Sequence, residues 1–225
     1  MVEAIVAFIF SLTMIYTDIT LEEVSRRLKD GDSLGFYQSA WWAIFAHAIK
    51  VFTGGAISHV GKVYEVIRSP DNKTIKFKFA EVTYKYGGIY RDCQITMQNL
   101  YGKEYYFIEG FENSTSMYYL ELKTPLTEEG RGYGIQDAID QVSERHYGAN
   151  SLLHCINWIN NLFPKMTFAK FVRNQKSFQK VCSTFCQIND WKNGSLSRVE
   201  LDKDFYVSPV EYSELPHLTL YRVVG

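Results

Sequence analysis

The sequence predicts an α+β protein, with strands crowded into its first half and helices into its second. Three observations carry that expectation. Residues 74–82 alternate Ile75, Phe77 and Phe79 against Lys76, Lys78 and Ala80, the period of a half-buried strand. Residues 56–66 are an apolar, β-branched run fed by Gly54-Gly55, which reads as a second and more deeply buried strand. Beyond residue 134 the apolar segments carry helix signals, among them Pro164 and Asn193-Gly194 as terminators.

From the N-terminus, residues 2–16 are nearly all apolar but carry Glu3. The run is shorter than the roughly 20 residues of a membrane helix and lacks the basic leading region of a signal peptide. It is expected to lie in the core or against a partner; a weak membrane anchor and an atypical signal are the alternatives. Residues 1–20 are therefore set apart as an apolar segment, and residues 21–225 form one domain. Thr20 caps a helix, with Glu23 at the capping-box position and Leu21, Val24 and Leu28 as its stripe. Gly31-Asp32-Ser33-Leu34-Gly35-Phe36-Tyr37 turns into a short strand, and residues 41–52 read as a buried helix. The His59 strand follows, then the turn Ser69-Pro70-Asp71-Asn72 and the Glu81 strand, together a hairpin. Residues 84–122 continue β-like. Residues 127–134 are expected to be a charged, glycine-rich solvent loop before a helix over 135–146. It lacks the full spacing of a phosphate-cradling fingerprint. Further helices are expected over 151–163, 168–178 and 182–191, and a last strand over 218–224.

Composition narrows the function classes. With 225 residues the chain can bury one sizeable core. Its 24 basic residues balance 25 acidic ones and form no run, so nucleic acid is not the expected partner. Four cysteines are too few for a disulfide scaffold at this length, which points to free thiols in a reducing or virion-associated setting. Asn-x-Ser/Thr matches at Asn72, Asn113 and Asn193 occur at chance level.

The chemistry centres on His59, Glu81 and Cys182. A thiol attacks as thiolate, and both a nearby imidazolium and the positive end of a helix lower its pKa. Cys182 stands at the start of its helix, and His59 sits on a strand, where a base is held rigidly. Glu81 shares a strand face with Phe77 and Phe79 and needs a polar partner there. Each residue also has a plain reading: a satisfied core histidine, a small buried cysteine, a carboxylate paired with lysine. Periodicity cannot join segments this far apart. Cys186 lies one turn beyond Cys182, as a rival nucleophile or a partner on zinc with His154-Cys155 nearby. Paired Cys-x-x-Cys knuckles are absent, so Cys186 and Cys155 are expected in the core.

Gly31-Asp32-Ser33-Leu34-Gly35-Phe36, Ser58-His59-Val60-Gly61, Phe79-Ala80-Glu81-Val82 and Val181-Cys182-Ser183, in that order, resemble the circularly permuted, NlpC-like branch of the papain-like cysteine peptidases, the YiiX-like group. Val207-Ser208-Pro209-Val210-Glu211-Tyr212 looks like that family's turn after the nucleophile helix. The resemblance spans residues 30–224. It implies an antiparallel, barrel-like sheet packed on the helix that bears the nucleophile. It also implies Cys182 as nucleophile, His59 as base and then acid, and Glu81 orienting His59. The backbone N–H of Cys182 would serve the oxyanion, and no cofactor is required. The implied substrates are amides or esters: peptide, isopeptide, cell-wall or lipid-linked. Two departures stand out: Lys62 follows Gly61 where the family usually has an apolar residue, and the segment between Glu81 and Cys182 is long. The rivals are a structural or interaction subunit on the same scaffold, as in a virus or phage particle, and acyl transfer on lipids.

Overall fold

In chain order the elements are β1 (Thr17–Thr20), α1 (Leu21–Arg27), β2 (Ser33–Tyr37), β3 (His59–Arg68), β4 (Thr74–Thr83), β5 (Gly87–Leu100), β6 (Lys103–Glu109), β7 (Ser116–Leu122), α2 (Glu128–Ser143), α3 (Cys182–Lys192), α4 (Pro209–Ser213) and β8 (Leu218–Val224). The computed structural model describes residues 16–37, 57–83, 87–111, 114, 116–143, 182–198 and 209–225. The expectations for residues 1–15, 41–52, 151–163 and 168–178, for the Gly54-Gly55 turn and for Cys155 lie outside the described residues.

The architecture is α+β. One eight-stranded sheet runs β1-β8-β7-β2-β3-β4-β5-β6. It is mixed rather than wholly antiparallel, because the two ends of the chain meet: β1 pairs parallel with β8 from Thr17↔Tyr221 to Thr20↔Val224. Asp18 accepts two 2.8 Å hydrogen bonds from Arg222 across that seam. Thr17–Thr20 thus belongs to the sheet of the main domain. The expected hairpin is β3–β4, with Asn72 at φ 55 in its turn.

Both faces of the central strands are covered. Val60, Tyr64, Ala80 and Val82 pack on one side with Phe185 and Cys186 of α3 and Ala138 of α2. Leu34, Val63, Phe77 and Phe79 pack on the other with Val24 and Leu28 of α1. Period-2 alternation therefore sends apolar residues both ways. The β4 face that looked polar at Lys76 and Lys78 is fully buried by Ala80.

Thr20 caps α1, its hydroxyl accepting the Glu23 N–H at 3.2 Å, while the Glu23 carboxylate meets Arg27. Asp32 lies in the turn before β2. It accepts from the N–H groups of Lys29 and Leu122 at 2.9 Å and from the Tyr119 hydroxyl at 2.6 Å. Burial pushes its carboxyl up, against the pull of those bonds, to about 6. The turn is thereby tied to β7.

The loop expected over 127–134 is instead the first part of α2. Two of its three glycines, Gly130 and Gly134, serve close packing. A Cβ on Gly130 would lie 2.4 Å from the Asn193 carbonyl oxygen, and one on Gly134 would lie 2.3 Å from the Tyr64 hydroxyl. Thr127 caps this helix, accepting the Gly130 N–H at 3.0 Å. Among the described residues no helix is long and apolar enough to cross a membrane.

Candidate active site

His59 opens β3, Glu81 lies on β4 and Cys182 is the first residue of α3. The structure brings the three together. His59 Nε2 and Glu81 Oε2 are 2.6 Å apart, which leaves the other ring nitrogen for the sulfur, and the ring is hydrogen-bonded to Cys182. Gly61 permits the approach: a Cβ there would sit 2.4 Å from the Phe79 ring and 2.7 Å from the Ala80 carbonyl oxygen. Any larger residue would push β4, and Glu81 with it, away from β3.

The electrostatics favour a charged pair. Burial alone would push the His59 ring down. The Cys182 charge and hydrogen bond, followed by Glu81, outweigh it and raise His59 to about 10. Burial would also push the Cys182 thiol up. The His59 charge and hydrogen bond, then the backbone N–H groups of Val60 and Ser183, bring it below its ordinary value. The Ser183 N–H belongs to the first turn of α3, the positive end of the helix, which stabilises an anion. Both shifts favour the imidazolium–thiolate form of the pair over the neutral one. Cys182 is 5% exposed, so little water competes with the ring for the sulfur.

Glu81 holds the far side of the ring. Burial pushes its carboxyl up, but the hydrogen bond and charge of His59, then Arg91, lower it overall. Arg91 on β5 donates Nε to Glu81 Oε1 at 3.1 Å and Nη1 to the Gly110 carbonyl at 2.5 Å. Its guanidinium lies over the rings of Phe79 and Phe111, at 5.6 and 4.7 Å. The carboxylate is thus held from both sides, and its partner on the side away from His59 is an arginine, not a lysine.

Sequence reasoning missed Arg91, whose role depends on the β4–β5 register, Phe79↔Arg91. It also missed the partner of Lys62, whose signal was a lone cation within an apolar run. Lys62 and Asp190 are both fully buried, with Nζ 2.6 Å from Oδ1. Lys62 also meets the Gly31 carbonyl, and Asp190 Oδ2 accepts from Tyr212 at 2.6 Å and pairs with His217 Nε2 at 3.0 Å. Burial would push Asp190 up; the Lys62 charge and the His217 hydrogen bond and charge bring it to about 2. Next to it the Tyr64 hydroxyl donates to Asn189 Oδ1 at 2.5 Å. α3 is therefore fastened to β3 at its far end by these bonds and at its near end by the Cys182–His59 contact.

Cys186 sits one turn beyond Cys182 in a different environment. Burial pushes its thiol well above the ordinary value, and the Lys62 charge only partly offsets this. Cys93, Cys182 and Cys186 are free thiols. Among the described residues no group of three or more His, Cys, Asp or Glu is arranged to hold a metal ion. The expected turn at Pro209 is the short helix α4, whose Tyr212 reaches Asp190.

The arrangement defines a class of site: a buried thiol beside an imidazole that is backed by a carboxylate. No family model and no curated protein matches the chain. Among solved structures it is similar to metalloprotein yiiX from Escherichia coli O157:H7. The identity is 11% and the TM-score 0.49, over 86% of this chain and 96% of that one.

Proposed function

We propose that the protein is a thiol hydrolase of permuted papain-like, NlpC-like fold that cleaves an amide or ester through Cys182, His59 and Glu81. The observation that carries this reading is the single hydrogen-bonded chain from Cys182 through His59 and Glu81 to Arg91, with the imidazole held at about 10. Cys182 Sγ attacks the substrate carbonyl carbon, and the electron pair moves onto the carbonyl oxygen. The Cys182 backbone N–H, at the start of α3, would serve that oxyanion. The oxyanion collapses, the C–N or C–O bond breaks, and His59 delivers its proton to the departing amine or alcohol. The product is a Cys182 thioester. Water then attacks with neutral His59 taking its proton, the acid departs, and the thiolate–imidazolium pair is restored. Glu81 keeps the ring oriented throughout.

The test is trapping with an amide- or ester-derived acylating probe at neutral pH, read by mass. The expected result is one adduct on Cys182, lost in Cys182→Ala and His59→Ala and kept in Cys186→Ala. Equal labelling of Cys182 and Cys186 refutes the assignment. The second reading is a structural or interaction subunit on the same scaffold. It is favoured by Tyr101, Tyr105 and Phe107, which are exposed at 102%, 44% and 41%. A wild-type thiol that alkylates only in its ordinary alkaline range supports that reading instead.

A further inference from the structure

β6 is the last strand of the sheet, so among the described residues its outer edge has no neighbour. Such an edge carries a row of unused N–H and C=O groups and invites another strand. Its sequence is Lys103-Glu104-Tyr105-Tyr106-Phe107-Ile108-Glu109, without proline. Tyr106 and Ile108 pack toward the α1 side of the sheet. Lys103, Tyr105, Phe107 and Glu109 form the other face, and all four are exposed.

The hairpin turn sets the phase of the edge. Tyr101 and Gly102 both have positive φ, 55 and 78, between the paired residues Leu100 and Lys103. This is a two-residue hairpin turn of the primed type, whose flanking residues bond each other. Lys103, Tyr105, Phe107 and Glu109 therefore spend their backbone groups on β5. Glu104, Tyr106 and Ile108 present theirs to the open edge.

We propose that this edge pairs with the same edge of a second copy of the chain, antiparallel and centred on Tyr106. In that register Tyr106 faces Tyr106 of the second copy and Glu104 faces its Ile108. These are the residues with outward backbone groups, so about six interstrand hydrogen bonds close across the two-fold axis. On the exposed face Tyr105 meets Phe107 twice, and each aromatic pair is flanked by Lys103 opposite Glu109. The segment is self-complementary in charge, in ring contacts and in hydrogen-bond phase at once. Glu109 also accepts from Gln94 at 2.7 Å, through Oε2, which leaves Oε1 for the lysine. Seven paired residues make a small interface, so the dimer is of the weak, concentration-dependent class. The inference stands independently of the hydrolase reading.

The experiment is sedimentation velocity of the full chain from micromolar to about millimolar concentration, with charge swaps at exposed positions that leave the core untouched. Wild type is expected to dimerise. Lys103→Glu and Glu109→Lys each place like charges opposite one another twice, and each weakens the dimer about 10-fold or more. K103E/E109K recovers it, and an equimolar mixture of the two single variants forms a heterodimer that neither forms alone. A wild type monomeric at about millimolar concentration overturns the proposal, as it would if another segment of the chain covers the edge. A dimer indifferent to both single swaps, or weakened by both and not recovered in the double variant, overturns it equally.

Discussion

Removing the His59 ring tests the electrostatics of the site without requiring a substrate. His59→Ala takes away the imidazolium but leaves the Glu81 carboxylate paired with Arg91, so no buried charge is stranded. What changes is the thiol. Without the cation, burial again dominates, and Cys182 moves to its ordinary value of 9.0 or above. At pH 6 such a thiol is ionised to about one part in a thousand. The more basic thiolate is intrinsically the better nucleophile, by about threefold for each unit of pKa regained. Each unit regained therefore costs the variant about threefold net in alkylation rate at pH 6, tenfold in ionisation against threefold in nucleophilicity. Well above pH 9, once both thiols are ionised, the variant, being more basic, reacts faster. The assay is the iodoacetamide rate from pH 5 to 10, with the adduct assigned to Cys182 by peptide mass spectrometry. The crossing of the two profiles is the signature. Parallel profiles, or a wild-type rate that climbs tenfold per pH unit through neutrality, would refute the ion pair.

Three further outcomes are expected. The pair should leave a plateau in stability against pH. His59, raised from 6.5 to about 10, contributes stability that is full below 6.5 and lost as pH rises toward 10. Cys182, lowered from 9.0, contributes stability that is full above 9.0 and lost as pH falls. The two trends cancel between about 6.5 and 9, so the urea-derived stability difference between wild type and Cys182→Ala should be level there and shrink on both sides; a steady slope across that window contradicts the pairing. Lys62→Met strips Asp190 of its principal countercharge in a fully buried site and should cost about 3–5 kcal/mol in denaturant melts, with K62M/D190N recovering most of it. A cost under about 1 kcal/mol for Lys62→Met would show that this pair does not anchor α3. Finally, the glycines of α2 should respond with opposite signs. Gly132→Ala meets nothing within 4 Å and should stabilise by about 0.5–1 kcal/mol, whereas Gly134→Ala drives a methyl into the Tyr64 hydroxyl and should destabilise by about 1–3 kcal/mol. Equal melting shifts for the two would contradict the packing.

What depends on neighbours along the chain was legible in the sequence. The Thr20 cap, the turn between β3 and β4 and the bounds of β8 are set within a few residues by capping, turn chemistry and period. The resemblance singled out His59, Glu81 and Cys182, but not what holds them. Arg91 reaches Glu81 through strand register, and Lys62 meets Asp190 across 128 positions of sequence. The glycines of 130–134 look like loop residues locally, yet they lie in a helix, where Gly130 and Gly134 give Asn193 and Tyr64 a bare surface to pack on. Cys182 and Cys186 are the same residue type one turn apart. The imidazole beside the first and the dry packing around the second send their thiols in opposite directions. Caps and periods are energies between adjacent residues, and these a sequence states by itself. Ion pairing, register and desolvation depend on distances through space, and only the folded chain sets those.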